Sequence, residues 1–243
     1  MILKKKRYIK TLEDVRKSYN IIYSEPTIYL KAADKYYRWI VDLLEPDSGK
    51  RLLDIACGGG FLLKEAEKRG LITVGIDISD KAIEIAKRNA RHSILAVSSG
   101  ENLSFKDNLF DYVTNLGSLE HFLNPEQGVQ EMTRVLKNNG KAIIMVPNSH
   151  SIIHFWRVLT KGTIYGSEEK QEIERLATIK EWQELLEENG LAVNKVLKYN
   201  LPPCVFKSSK YYVGYCLVYP FIPLNLSYSF VFICNKKASL IGK

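Results

Sequence analysis

Cysteine is scarce, with four residues at Cys57, Cys204, Cys216 and Cys234. They form no CxxC pair, and no Cys/His cluster has zinc-ligand spacing, which argues against a structural zinc site. A chain of 243 residues buries a large core without covalent staples, so scattered thiols read as reduced and suggest a cytoplasmic protein. Internal repeats and low-complexity linkers are absent too. No Gly-Lys-Ser/Thr follows the glycine stretch near residue 58, which excludes a P-loop. No apolar run follows the basic start (Lys4, Lys5, Lys6, Arg7, Lys10), so a secretory leader is not expected. That start reads as a solvated basic leader, with an anionic membrane surface or a nucleic acid as the alternative reading of the +8 net charge. Charge is missing altogether from Tyr211 to Asn235. The stretch is long enough to cross a bilayer, but Pro220, Pro223, Asn225, Ser227 and Ser229 interrupt it. Peripheral membrane contact is the milder expectation.

What is present is a globular balance, 46% hydrophobic and 26% charged, at a length suited to one α/β domain with insertions. Residues 11–45 carry apolar and aromatic positions at helical spacing, broken near Pro26. A regular alternation follows. Strands are expected at Arg51–Ile55, Ile72–Ile76, Ile94–Val97, Phe110–Thr114 and Lys141–Val146. Helices are expected at Phe61–Arg69, from Ser79 as N-cap to about Ala90, and at Pro125–Leu136, the last ending at the turn Asn138-Asn139-Gly140. The second half adds a helix at Ile179–Asn189 and strands at Leu191–Leu197 and Tyr228–Cys234. The pattern predicts a doubly wound α/β domain spanning residues 1–243. Its mostly parallel seven-stranded sheet has an antiparallel last strand and helices on both faces. Residues 1–48 would form a helical lid, and 149–176 and 199–227 two substrate-side insertions. Ligands would bind at the carboxyl edge of the sheet.

The strongest local feature is Asp54-Ile55-Ala56-Cys57-Gly58-Gly59-Gly60. A sharp strand-to-helix turn and a ligand approaching the backbone both favour residues without a Cβ, and the helix N-terminus beyond points amide groups at the site. A dinucleotide GxGxxG fits poorly, because its first and last glycines would be Ala56 and Phe61. Asp77, followed by Ile78, ends the second strand on the same edge, where a carboxylate can accept hydrogen bonds from two ribose hydroxyls. Three further segments follow in order: Ser99-Gly100-Glu101-Asn102-Leu103, then Asn115-Leu116-Gly117-Ser118-Leu119-Glu120-His121, then Arg134–Lys141.

In this order and spacing the segments resemble the class I methyltransferases that use S-adenosylmethionine (SAM), and most closely a small-molecule branch that includes ubiquinone-pathway O-methyltransferases. The resemblance covers about residues 50–148 closely and extends more weakly over Ile179–Leu197 and Tyr228–Cys234. It implies SAM as cofactor, with S-adenosylhomocysteine as product. The family's DxGxGxG loop corresponds to Asp54, Ala56, Gly58 and Gly60, with Ala56 in place of the first glycine and Cys57 within the loop. Asp77 matches the ribose-binding acid. Where the family often has an acid near the adenine stands Ser99, which leaves that contact to its hydroxyl or to the Gly100 and Glu101 amides. The backbone at Asn115 and Leu116 is similar to the segment that passes the methionyl part of SAM. Glu120 and His121 are the candidate catalytic pair, His121 as general base because a histidine ordinarily titrates near neutrality. Some relatives hold a divalent metal through a matching Glu-His with a further Glu three residues earlier. Here that position is Gly117, so no metal is expected.

The expected activity is methyl transfer to a small-molecule, lipid-like or saccharide acceptor, at oxygen. Phe155, Trp156, Tyr165, Phe206, Tyr211, Tyr212 and Tyr215 are candidates to cover the acceptor. The alternatives are an RNA or protein methyltransferase and a non-catalytic SAM-binding protein. A nucleic acid acceptor is disfavoured because Asn115-Leu116-Gly117-Ser118 lacks the Asn/Asp-Pro-Pro-aromatic motif of base amino-group methylases.

Overall fold

The computed structural model describes residues 1–5, 9–25, 34–163, 173–200 and 219–238. In chain order the elements are β1 (Ile2–Lys5), α1 (Leu12–Ser24), α2 (Asp34–Leu44), β2 (Arg51–Ile55), α3 (Phe61–Glu67), β3 (Ile72–Asp77), α4 (Asp80–Asn89), β4 (Ile94–Val97) and β5 (Phe110–Leu116). A one-turn helix at Leu119–His121 leads to α5 (Pro125–Val135), β6 (Leu136–Pro147), α6 (Ile152–Lys161), β7 (Ile173–Leu176), α7 (Ile179–Glu188), β8 (Leu191–Tyr199) and β9 (Ser229–Lys236).

The main sheet has seven strands in the order β4-β3-β2-β5-β6-β9-β8. Strands β2 to β6 are parallel to one another, and β9 runs antiparallel between β6 and β8. The expected doubly wound sheet with an antiparallel last strand is therefore the fold. Successive residues alternate between its two covered faces. Leu52, Ile143 and Val231 pack with Ile40 and Leu44 of α2 and Leu62 of α3. Leu53, Ile144 and Phe232 pack with Met132 of α5 and Trp182 and Leu186 of α7. A period of two with both faces buried is why these strands read as continuous apolar runs. The helices start where side-chain caps predict: Ser79 accepts from the Ala82 amide, Asn124 from Gln127, and Thr178 forms a capping box with Glu181.

Two local expectations are corrected. Asn138-Asn139-Gly140 is not a turn but part of the twelve-residue β6. Leu136 already pairs with Phe110, across a register shift between Phe110 and Tyr112, and this pairing overrides the turn propensity of the Asn-Asn-Gly sequence. The basic start is not wholly a free leader either. Ile2–Lys5 pairs antiparallel with Ile173–Leu176 in a separate two-stranded sheet, whose register sets Lys4 opposite Glu174. The uncharged stretch divides: 211–218 lies outside the described residues, while Ser229–Asn235 lies within β9, inside the main sheet. Among the described residues no helix is long and apolar enough to cross a membrane.

Strand order reverses beside β2, with β3 on one side and β5 on the other. The crevice beyond their carboxyl ends is where the turns after all three strands meet, and the candidate site lies there.

Candidate functional site

A cavity of about 450 Å³ occupies that crevice. Its floor is the turn after β2. Ala56, Gly58 and Gly60 all have positive φ, at 59°, 51° and 73°. The turn is pinned to β3 by the Cys57 amide, which donates to the Ile76 carbonyl at 2.8 Å, and by the Gly58 amide, which donates to Asp77 Oδ2 at 2.9 Å. At Gly58 a Cβ would sit 2.8 Å from the Tyr23 hydroxyl, and at Gly60 one would meet Ala86 of α4 at 3.1 Å. Glycine is thus favoured at both places by its left-handed conformation, and at Gly60 also by the closeness of the Ala86 backbone. Ala56 holds the left-handed conformation at a cost of about 1–2 kcal/mol. Ala56→Gly should therefore raise stability by up to about 1 kcal/mol, read from urea unfolding, because the relieved strain exceeds the added freedom of the unfolded chain.

Of the sequence candidates, Asp54, Ala56, Cys57, Gly58, Asp77, Ile78, Ser99, Gly100, Glu101, Leu116 and His121 all line this one cavity. Gly60, Asn115 and Glu120 stand just behind it. Gly60 is the N-cap residue of α3. Asn115 is buried, accepting from the Leu119 amide at 3.0 Å and donating to the Ile55 carbonyl at 3.4 Å, so it braces the loop after β5. Ser99 Oγ accepts from the Glu101 amide at 3.1 Å, which leaves the Ser99 hydroxyl proton and the Gly100 amide as the donors of that loop. The Glu101 carboxylate is engaged by the Leu123 and Asn124 amides, both at 2.9 Å. Phe155 and Trp156 face solvent instead of the cavity. Tyr165, Phe206, Tyr211, Tyr212 and Tyr215 lie outside the described residues.

Other cavity residues carried no motif. Leu12, Val15, Tyr19 and Tyr23 come from one face of α1, Ser118 from the loop beyond β5, and Met145 from β6 itself. The i, i+3, i+7, i+11 spacing of the α1 set was the available signal, although it does not distinguish a cavity wall from a core face. Arg175 of β7 had no signal at all. Its buried guanidinium donates to the carbonyls of Glu120, Phe122 and Leu123, at 3.3 Å to Glu120 and 3.0 Å to Leu123, and so clamps the loop that carries Glu120 and His121.

The cavity is electrostatically one-sided. Asp54, Asp77 and Glu101 line it, and among the described residues no lysine or arginine does. Burial raises Asp54 to about 7, against a 2.7 Å hydrogen bond from the Thr114 hydroxyl. Burial raises Asp77 to about 6, against the Ser79 and Gly58 amides that donate to it. Ser118 Oγ is buried on the wall with no hydrogen-bond partner among the described residues. Two desolvated carboxyls, an orphan hydroxyl and a backbone loop stripped of side chains fit a ligand that is cationic and rich in hydroxyls.

His121 and Glu120 sit at the far end. The His121 Nδ1–H donates to the Ile173 carbonyl, which leaves Nε2 as the accepting nitrogen, 3.7 Å from Glu120 Oε1. Burial lowers His121 to about 4, below the near-neutral value expected from sequence, because the apolar surroundings disfavour the imidazolium. Burial likewise raises Glu120 to about 8, and its Oε2 has no hydrogen-bond partner among the described residues. Near pH 7 the pair is therefore a neutral imidazole beside a neutral carboxyl.

These shifts set a pH dependence. A carboxyl with a raised folded pKa holds more protons folded than unfolded, so stability falls as pH rises through the window. His121, lowered to about 4, adds stability that is lost only as pH falls below 6.5. Between pH 6.5 and 8 the carboxyls act alone, chiefly Asp54 and Glu120. The ligand-free protein should have a lower denaturant midpoint at pH 8 than at 6.5, and Asp54→Asn should flatten the difference.

Comparison with known proteins agrees with this geometry. A methyltransferase domain family matches residues 53–144. A demethylmenaquinone methyltransferase from Paenarthrobacter aurescens is 27% identical over 147 residues, 60% of this chain and 57% of that protein. A ubiquinone biosynthesis O-methyltransferase from Coxiella burnetii is 26% identical over 145 residues, 56% of this chain and 62% of that protein. The chain thus spans about three-fifths of the length of these curated relatives. The structure of a SAM-dependent methyltransferase from Methanosarcina mazei superposes with a TM-score of 0.63 at 20% identity, over 82% of this chain and 98% of that one. Strand order and family match together make residues 53–144 a methyltransferase domain on the class I fold.

Proposed function

We propose that this protein transfers a methyl group from SAM to a small, lipid-like or saccharide acceptor, at oxygen. The carrying observation is the charge of the cavity: three carboxyl side chains and no lysine or arginine among its described lining residues. A dinucleotide would bring two phosphates into that field with no cation to meet them, whereas SAM brings a sulfonium and an ammonium. The name of the ubiquinone biosynthesis O-methyltransferase relative supports transfer to oxygen on a small molecule.

In this reading the Asp54–Gly60 turn and Asp77 hold the cofactor. Each Asp77 oxygen already accepts one amide and has a further lone pair for a ribose hydroxyl. Ser99 and Gly100 supply donors for the adenine edge. Bound SAM supplies a methyl on an already activated sulfonium, so the chain's main task is alignment. His121 Nε2 takes the proton of the acceptor hydroxyl. The imidazolium so formed stands 3.7 Å from Glu120, whose ionisation it favours. Helix α1, with Tyr19 and Tyr23 on the cavity wall, acts as the lid.

The test is transfer of isotope-labelled methyl from SAM into extracts and into a panel of catechols, hydroxyquinols and saccharides. The reading expects label in an organic-extractable ring compound. Label in RNA or protein alone would overturn it.

A further inference from the structure

An arginine on a two-stranded sheet ordinarily points to water or to an acid. Arg175 of β7 is buried instead, and its guanidinium turns to the main chain of another loop. It donates to the carbonyls of Glu120, Phe122 and Leu123. Glu101 does the reverse from the other side. Its buried carboxylate accepts from the Leu123 and Asn124 amides, both at 2.9 Å.

Two peptide units therefore lie between a cation and an anion. The unit joining Phe122 to Leu123 presents its carbonyl to Arg175 and its amide to Glu101, and the unit joining Leu123 to Asn124 does the same. In a trans peptide the C=O and N–H point in opposite directions, so the grip fixes the plane of both units. Most turns are closed by neutral side chains, and burying two charges instead carries a desolvation penalty. The elements involved show what the arrangement achieves. Glu101 belongs to the Ser99–Glu101 loop on the cavity wall, where a Cβ at Gly100 would meet the Phe122 ring at 2.6 Å. Arg175 stands two residues after Ile173, whose carbonyl accepts from His121 Nδ1–H. One strand thus holds both the imidazole and the loop that carries it. Ile173 is packed in turn against Ile9 and against Val15 of α1.

We infer that Arg175 is a positioning residue for methyl transfer, with Glu101 as its counterpart across the loop. Together they set the peptide planes that follow His121, and so keep its Nδ1–H on the Ile173 carbonyl and its Nε2 as the nitrogen that accepts a proton. The guanidinium and the Glu101 carboxylate act through the loop and not on the substrate. The inference rests on the reading of His121 as the base, and adds which groups hold that imidazole in the competent tautomer.

The tautomer is read directly, with no acceptor present, by imidazole nitrogen NMR of the full chain labelled with nitrogen-15 histidine. His121→Ala assigns the signal among the four histidines. At pH 7 the wild type should show one fixed Nδ1–H tautomer. Arg175→Lys keeps the charge but cannot span three carbonyls, so it should show averaging between the two tautomers, with SAM affinity within about twofold of wild type. Glu101→Gln should do the same from the other side of the loop, and it carries the test if Arg175→Lys does not fold. With a compound that the wild type methylates, the rate per folded molecule should fall at least about tenfold in either variant at unchanged KM for SAM. In a His121→Ala background Arg175→Lys should cause no further loss, because the two act as one unit. A brace of the fold alone would lower the thermal midpoint and leave tautomer and rate per folded molecule unchanged, which overturns the inference. So does an equal loss from Arg175→Lys with and without His121. A wild-type rate in His121→Ala overturns the base reading and this inference with it. A slow His121→Ala beside an unperturbed tautomer in both clamp variants overturns this inference alone.

Discussion

Replacing Asp77 by Ala should weaken SAM binding at least about 100-fold in calorimetry. The carboxylate is buried and does two jobs. It accepts the Gly58 and Ser79 amides at 2.9 and 2.8 Å, fixing the β2 turn against the start of α4, and it lines the cavity where a ribose would sit. Charge-assisted hydrogen bonds contribute about 1.5–3 kcal/mol each, so losing two to the ligand accounts for the expected factor. Asp77→Asn is not a mild control. Two amides donate to the two carboxylate oxygens, and an asparagine presents an acceptor to only one of them while pointing an NH₂ at the other. It should bind SAM nearly as poorly as the alanine variant. Near-normal affinity in Asp77→Asn would show that the loop, and not the carboxylate, holds the ligand.

His121→Ala should lower the methyl-transfer rate by about 10²–10⁴ while leaving SAM affinity largely intact, the range for a general base. Loss of rate alone does not separate catalysis from bracing, because His121 Nδ1–H also donates to the Ile173 carbonyl. His121→Gln separates them. Glutamine can keep a donor toward Ile173 but has no nitrogen that takes a proton. A base predicts that Gln is as slow as Ala, and a brace predicts that Gln restores the rate. The rate profile adds a second readout: with His121 lowered to about 4, a histidine base stays competent down to mildly acidic pH, well below the ordinary histidine range. If both variants transfer methyl at the wild-type rate, neither role survives, and catalysis rests on alignment alone.

The fold, and the residues that line the cavity at the carboxyl edge of the sheet, were legible for a local reason. Strand Arg51–Ile55, the glycine turn and Asp77 are each specified within a few residues, by continuous apolar runs, missing Cβ atoms and a strand-end acid. Their meeting follows from right-handed parallel crossovers. What escaped the sequence depends on contacts distant in the chain. Lys4 and Glu174 are 170 positions apart, and nothing in the basic start announces that Ile2–Lys5 pairs with Ile173–Leu176. Arg175 reads as an ordinary surface arginine until the loop at Glu120–Leu123 is seen folded over it. Asn138-Asn139-Gly140 carries a turn composition, yet it lies within β6, in the register shift between the pairs Phe110–Leu136 and Tyr112–Lys141. The protonation of Glu120 and His121 was illegible for a different reason, since burial and not residue type sets it.

The central claim is that the acid-lined cavity at Asp54–Gly60 and Asp77 is built for SAM. Calorimetric titration of the full chain tests it most directly, with SAM and with NAD⁺, at pH 8 and at pH 5.5. The account expects one SAM per chain and no heat with NAD⁺. It also expects weaker SAM binding at the lower pH, where Asp54 and Asp77, raised to about 7 and about 6, are neutral. Saturable binding of NAD⁺ in place of SAM, or SAM affinity that does not change with pH and survives Asp77→Ala, would contradict it.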